Sequence, residues 1–217
     1  RGFTPDEFIL DNAIDIETNA MVASMNNSSF AAMVFYDFAA AFPSVAHAFI
    51  FITLSMLGVP RSVIRAIKQL YKNNVHILRM GRCSKTGFVV LSGVKQGCPL
   101  SGLLFVIVCD AFLRALSSSI GPHGSSRAFA DDVAAVLHDF FVSAPAIEKL
   151  FTLMERVAGL ALNGKKCVIV PLWTYSVSTI HDWIALHIPA WISFVVADQA
   201  KYLGIWLGPG ASNKTWD

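Results

Sequence analysis

Arg127-Ala128-Phe129-Ala130-Asp131-Asp132-Val133-Ala134-Ala135-Val136-Leu137 decides how this chain is read. Two short apolar arms flank a pair of adjacent carboxylates, the pattern of a tight β-hairpin with Asp131-Asp132 at its turn. Upstream, Ala32-Met33-Val34-Phe35-Tyr36-Asp37 reads as a buried strand that ends in a third carboxylate.

Working outward, Thr4-Pro5-Asp6-Glu7 has the form of a capping box with Pro at the first helical position, so a helix is expected over residues 5–24. Ser44 is positioned to cap a helix through Leu57, closed by Gly58 and Pro60. A second helix over 60–72 groups Val63, Ile64, Ile67, Leu70 and Tyr71 on one face and Arg61, Arg65, Lys68 and Lys72 on the other. Residues 75–80 and 86–91 form a hairpin joined through 81–85. The Gly-rich loop 93–102 leads into an apolar helix over 102–116. Beyond the turn at Gly121-Pro122-His123-Gly124 and the Asp-Asp hairpin, a helix is expected over 143–157, then short strands near 167–172, 192–196 and 202–207. Internal repeats and low-complexity tracts are absent from the sequence.

Hydrophobic residues make up 54% of the 217 and charged residues 15%, a balance that excludes intrinsic disorder. The net charge of +2 says little, but its distribution says more. Between Pro60 and Gln96 stand eight basic residues (Arg61, Arg65, Lys68, Lys72, Arg79, Arg82, Lys85, Lys95) and no acidic one, which suits an anionic partner. Cys83, Cys98, Cys109 and Cys167 are irregularly spaced, and the six His form no H-E-x-x-H. Neither a disulfide framework nor a zinc site is indicated, and an intracellular setting, nucleus or cytoplasm, is expected. The twenty uncharged residues 38–57 reach the length of a membrane span, but Pro43 and Ser44 break them, leaving about thirteen apolar positions. The 97–109 stretch is likewise too short, and no membrane partner is expected. Opening at Arg1 and closing at Trp216-Asp217, the chain reads as a piece of a larger protein.

The chemistry rests on Asp37, Asp131 and Asp132, all set in runs too apolar to solvate a charge. Burying them unpaired would cost several kcal/mol. Hard divalent cations such as Mg2+ take carboxylate oxygens and keep sites for water and phosphate. Two such ions roughly 4 Å apart would stabilise the attacking and leaving oxygens of an in-line phosphoryl displacement. Taken alone, an Asp-Asp doublet is as well explained as a turn and a strand-end Asp as a cap.

Seven stretches in order change that balance. They are Gly2-Phe3 with Asp11-Asn12; Phe35-Tyr36-Asp37-Phe38-Ala39-Ala40-Ala41-Phe42; Leu70-Tyr71 with Gly81 and Phe88; Gly93-Val94-Lys95-Gln96-Gly97-Cys98-Pro99-Leu100-Ser101; Phe129-Ala130-Asp131-Asp132; Gly159 through Lys166; and Tyr202-Leu203-Gly204-Ile205. Together they resemble the reverse transcriptase of non-LTR retrotransposons, over nearly the whole chain. The resemblance implies the α+β class and a polymerase palm, a ferredoxin-like antiparallel sheet backed by helices, with part of the fingers; the upstream fingers and the thumb would then be missing. Residues 1–30 and 60–95 would be fingers or palm-proximal, and 31–59 and 96–207 palm.

It further implies RNA-templated DNA synthesis from deoxynucleotide triphosphates on an RNA template and a DNA primer. Asp37, Asp131 and Asp132 would ligate two Mg2+ ions, for which Mn2+ can substitute, and Lys166 would give a proton or charge to departing pyrophosphate. Phe38, Phe42, Gln96 and Gly97 would line the nucleotide site, with Phe42 as the steric gate against a 2′-hydroxyl. Arg65, Lys68, Lys72 and Lys95 would face template-primer phosphates, and Tyr202, Leu203 and Gly204 would belong to the primer grip. Pro43 and Gly102 depart from the family's wording, where a second acidic residue and a Pro are common. A catalytically dead, nucleic-acid-binding remnant is the alternative reading, and an apolar membrane protein a more distant one.

Overall fold

The computed structural model describes residues 9–26 and 29–211; the expected capping box at 4–7 lies outside them. In chain order come α1 (Ile9–Met25), β1 (Ala32–Tyr36), α2 (Ala41–Ser44), α3 (His47–Met56), α4 (Arg61–Tyr71), β2 (Val75–Met80) and β3 (Cys83–Val89). Then follow α5 (Pro99–Ile120), β4 (Gly124–Phe129), β5 (Asp132–Leu137), α6 (Phe140–Ala158), β6 (Val168–Pro171) and α7 (Val177–His187). Three short strands close the described chain: β7 (Val195–Val196), β8 (Ala200–Tyr202) and β9 (Ile205–Leu207).

The main sheet has the order β4-β5-β1-β6-β7, antiparallel except for the β6–β7 pair at one edge. β1, a helical crossover, the β4–β5 hairpin, α6 and β6 follow one another as β-α-β-β-α-β with β1 inside, the ferredoxin-like arrangement expected of a palm. Ala32, Val34 and Tyr36 face the larger core, which holds residues of α3 to α7, while Met33 and Phe35 face a second core with α1, β8 and β9. Alternate side chains of β1 thus go to opposite faces and both faces are covered, so the strand is written as an unbroken apolar run.

α5 presents Leu104, Phe105, Val108, Phe112, Leu116 and Ile120 to the larger core, a helical 3–4 spacing on one face. Phe112 and Phe38 both pack against Phe151, with Phe112 at 5.0 Å and Phe38 at 6.1 Å between ring centres. The helix is longer than the expected 102–116, and its apolar sequence is long enough to cross a membrane. In this fold one side of it is core.

The chain departs from expectation elsewhere too. The single helix expected from Ser44 to Leu57 is broken at Val45-Ala46. There Ala46 N–H donates to Ala158 O at 2.8 Å and Gly93 N–H donates to Val45 O at 2.7 Å, so tertiary backbone bonds replace helical ones and Ser44 caps nothing. On α4, Ile64, Ile67 and Tyr71 are buried, but Val63 and Leu70 are about half exposed. The strand expected over 202–207 is a hairpin, β8–β9, turning at Leu203-Gly204 where both φ angles are positive. α7 was not anticipated; its buried residues, Ile180 and Ile184, make too short a stripe to announce it.

Candidate active site

The sheet register brings two of the three carboxylates together. Tyr36 pairs with Val133 and Phe35 with Ala134, so one more step along the ladder sets Asp37 beside Asp132. The turn joining β4 to β5 consists of Ala130 and Asp131, since Phe129 pairs with Asp132. This corrects the expectation that Asp131 and Asp132 crown it together. Ala130 takes a left-handed φ of 54°, an uncommon conformation for a residue with a Cβ, and it fixes where Asp131 stands.

The carboxylates feel one another. Partial burial, then the charges of Asp131 and Asp37, raise the pKa of Asp132. Asp37 Oδ2 is buried and has no hydrogen-bond partner, but Lys166 Nζ lies 3.9 Å from it. Three hard oxygen donors, one with an orphaned buried atom, repelling at one end of a sheet, are a donor set suited to divalent cations. Among the described residues no three His, Cys, Asp or Glu side chains stand grouped so as to hold a metal ion between them.

The backbone of Asp37 is held tightly. Asn163 N–H donates to Asp37 O at 2.7 Å, and Ala39 N–H donates to Ala161 O at 2.9 Å. Asp37 N–H donates to Cys167 Sγ at 3.3 Å, and the same thiol points back to Asp37 O at 3.7 Å. Burial pushes the Cys167 thiol up to about 12, so it stays a neutral group able both to donate and to accept. Residues 161–167 are therefore zipped onto the end of β1, and this is what brings Lys166 to Asp37. Sequence reasoning placed Lys166 and Asn163 in this loop but missed Cys167, whose only signal was its place directly after the lysine. It also assigned no role to Asn12 and Arg127. Asn12 is fully buried and donates to Ala128 O at 3.0 Å, and Arg127 pairs with Asp15 at 2.8 Å; both pin α1 to the strand that leads into Asp131.

The other expected site residues divide. Phe42 stacks on Phe105 with ring centres 4.2 Å apart and planes 16° apart, so its ring is fixed from below by α5. Gln96 and Gly97 are exposed, and Gly97, at φ +79°, has open space where a Cβ would point. Arg65, Lys68, Lys72 and Lys95 are exposed; Lys68 Nζ lies 5.1 Å from the Phe51 ring centre and Lys95 Nζ 5.8 Å from that of Tyr71. Two expectations need correction. Phe38 is 7% exposed and its ring belongs to the core, so its side chain does not line an open nucleotide site. Tyr202 is 3% exposed, packed 5.6 Å from Phe35 in the second core, leaving the backbone at Leu203 and Gly204 as what that segment can offer a primer.

Residues 2–207 match the family described as reverse transcriptase (RNA-dependent DNA polymerase). The retrovirus-related Pol polyprotein from the type-2 retrotransposable element R2DM of Drosophila melanogaster is 32% identical over 177 residues, 78% of this chain and 16% of that protein. The corresponding polyprotein of a type-1 element R2 from Popillia japonica is 33% identical over 146 residues, 64% of this chain and 20% of that one. The chain thus spans about a fifth or less of the length of these relatives. Among solved structures, apo telomerase from Candida tropicalis, truncated from its C-terminal domain, superposes with a TM-score of 0.66 at 10% identity, over 93% of this chain and 39% of that one. Telomerase from Candida albicans in complex with the TWJ fragment of telomeric RNA gives 0.57 at 12% identity, over 93% and 33%. These two share the fold. The palm topology, the family match across residues 2–207 and the Pol polyprotein relatives agree: the chain belongs to the reverse transcriptase family, as a domain of the non-LTR retrotransposon type.

Proposed function

We propose that this chain is a core of RNA-templated DNA synthesis, and that Asp37, Asp131 and Asp132 are its catalytic carboxylates. The observation that carries the reading is the β1–β5 register, which puts Asp37 beside Asp132 one residue past the Tyr36–Val133 pair, next to Asp131 in the turn. These three side chains would hold Mg2+, as two ions, with Mn2+ as a substitute. When held there, such ions would supply positive charge to stabilise the charge that develops in a phosphoryl displacement.

The chain's own groups supply the rest. Lys166, two-thirds exposed at the side chain, holds its ammonium against Asp37 and is free to swing it toward a departing pyrophosphate as a proton donor or counter-charge. The stack on Phe105 makes Phe42 a rigid ring, fit to refuse a nucleotide carrying a 2′-hydroxyl. Gln96 and Gly97 offer an open backbone approach to the nucleotide and template. Arg65, Lys68, Lys72 and Lys95 give salt-dependent contacts to RNA template and DNA primer phosphates, and Leu203-Gly204 meets the primer backbone. Residues 31–59 and 96–207 act as palm, 1–30 and 60–95 as its fingers-proximal part. The chain works inside the cell, in nucleus or cytoplasm, a setting supported by four free thiols.

Primer extension on poly-rA with a DNA primer, dTTP and Mg2+ or Mn2+ tests the reading, with Asp131→Asn as the control. Extension that falls to background in the variant is the expected result; extension equal in both overturns it. A second reading, a remnant that only holds nucleic acid, draws on the exposed cations of α4. It requires that no extension occur and that charge reversal at Arg65 and Lys68 abolish binding.

A further inference from the structure

We propose that Cys167 is a positioning residue for the reaction, aiming the carboxylate of Asp37 at a divalent ion by holding the backbone that carries it. This rests on the reading above, in which Asp37 is a metal ligand, and deepens it by naming what fixes that ligand. β1 is paired with β6 as far as Phe35 and Val168, and with β5 as far as Tyr36 and Val133. Asp37 is therefore the first residue beyond the ladder, and its backbone groups need other partners. The residue just before Val168 supplies them with its side chain. Asp37 N–H donates to Cys167 Sγ at 3.3 Å, and the thiol donates back to Asp37 O at 3.7 Å, so one thiol does what a neighbouring strand does elsewhere in the sheet.

The thiol cannot drift from this post. Cys167 is fully buried, and its backbone is fixed on both sides, its N–H donating to Asn163 O at 3.1 Å and its O accepting from Val195 N–H at 2.9 Å. Only the side chain is left to meet Asp37. What it governs is the direction of the carboxylate, because Asp37 Oδ2 is buried without a hydrogen-bond partner of its own and its aim is set by the backbone behind it. Mg2+ demands near-ideal octahedral geometry, whereas Ca2+ accepts a looser set of oxygens. Groups that orient a metal ligand commonly govern affinity by about ten- to a hundredfold. Packing alone is the other use of a buried cysteine, but an apolar residue would serve that use too, and it would be blind to which ion is offered.

The test reads metal binding and needs no synthesis. The electron paramagnetic resonance signal of free Mn2+ would report its binding to the 217-residue chain, with Mg2+ and Ca2+ as competitors. Cys167→Val and Cys167→Ala, one larger and one smaller, both lose the two bonds; each should weaken Mg2+ about tenfold and Ca2+ by clearly less. Cys167→Ser, whose hydroxyl still donates and accepts, should bring Mg2+ binding back toward wild type. Equal loss of Mg2+ and Ca2+ in both apolar variants, as from a chain that no longer folds, overturns the inference. So does no loss in either, or no recovery with Ser. Asp37→Asn separates this from the reading beneath it. Metal binding unchanged in Asp37→Asn overturns the assignment of Asp37 and the inference with it, whereas binding lost in Asp37→Asn but kept in Cys167→Val and Cys167→Ala overturns the inference alone.

Discussion

β1 and β2 are close in length and both rich in apolar side chains, yet all five residues of β1 are buried and all six of β2 are exposed. The difference is in their neighbours. β1 has a paired strand on each side and a packed layer on each face, whereas β2 has one partner strand in a separate two-stranded sheet. Apolar content makes a strand; the number of partners decides whether it becomes core or surface. In this molecule the division is also one of work. The buried sheet fixes carboxylates by register, whereas the exposed hairpin holds no carboxylate and packs into neither core.

Substitutions can break or sharpen this contrast. The largest effect should come from Phe112→Ala, behind the sheet, where a fully buried ring meets Phe38 and Phe151. A loss of about 3–5 kcal/mol is expected, read as a lower urea midpoint with unchanged slope. Gly124→Ala should come next. A Cβ there would collide with the Val136 carbonyl at the start of the hairpin that carries Asp131, costing about 1–3 kcal/mol and lowering the Tm. The effect should vanish if β4 and β5 were as loosely held as β2 and β3.

A smaller effect should appear with pH. The pKa of Asp132 is raised in the folded state above its ordinary 3.8 by burial and by the charges of Asp131 and Asp37. Its contribution is therefore complete below pH 3.8 and is lost as pH rises through the higher folded value. Melting curves of Asp132→Asn should gain on wild type as pH climbs through that window, and added Mg2+ should narrow the gap by stabilising wild type alone. A gap that shrinks with rising pH would contradict this. The smallest effect belongs to the hairpin: Ile77→Ser, at a position 69% exposed, should change stability by less than about 0.5 kcal/mol. A larger loss in urea denaturation would mean that β2 is covered after all.

The same contrast explains how much could be read from the sequence. β1 and the β4–β5 hairpin were legible because two-sided burial writes itself as an unbroken apolar run, and the three Asp stood out as the charges such runs cannot solvate. What the letters did not carry was anything settled by distant backbone. The break at Val45-Ala46 is made by bonds to Ala158 and Gly93, and the turn at Leu203-Gly204 by a left-handed pair inside what looks like one strand. A motif gives a residue's place along the chain and not the face it takes. Hence Phe38 and Tyr202 were expected at the site and lie in the two cores, while Cys167, which grips Asp37, looked like one more apolar letter.

The grip between Asp37 and Cys167 joins residues 130 positions apart. Such a long loop must be closed before either end is rewarded, which slows the search for the native topology. During synthesis, the strand that ends in Asp37 leaves the ribosome well before the segment that will hold it. Until residue 167 and the β6 strand just after it emerge, the nascent chain holds an apolar strand without its closing neighbour, so the grip on Asp37 is a late event of folding during synthesis.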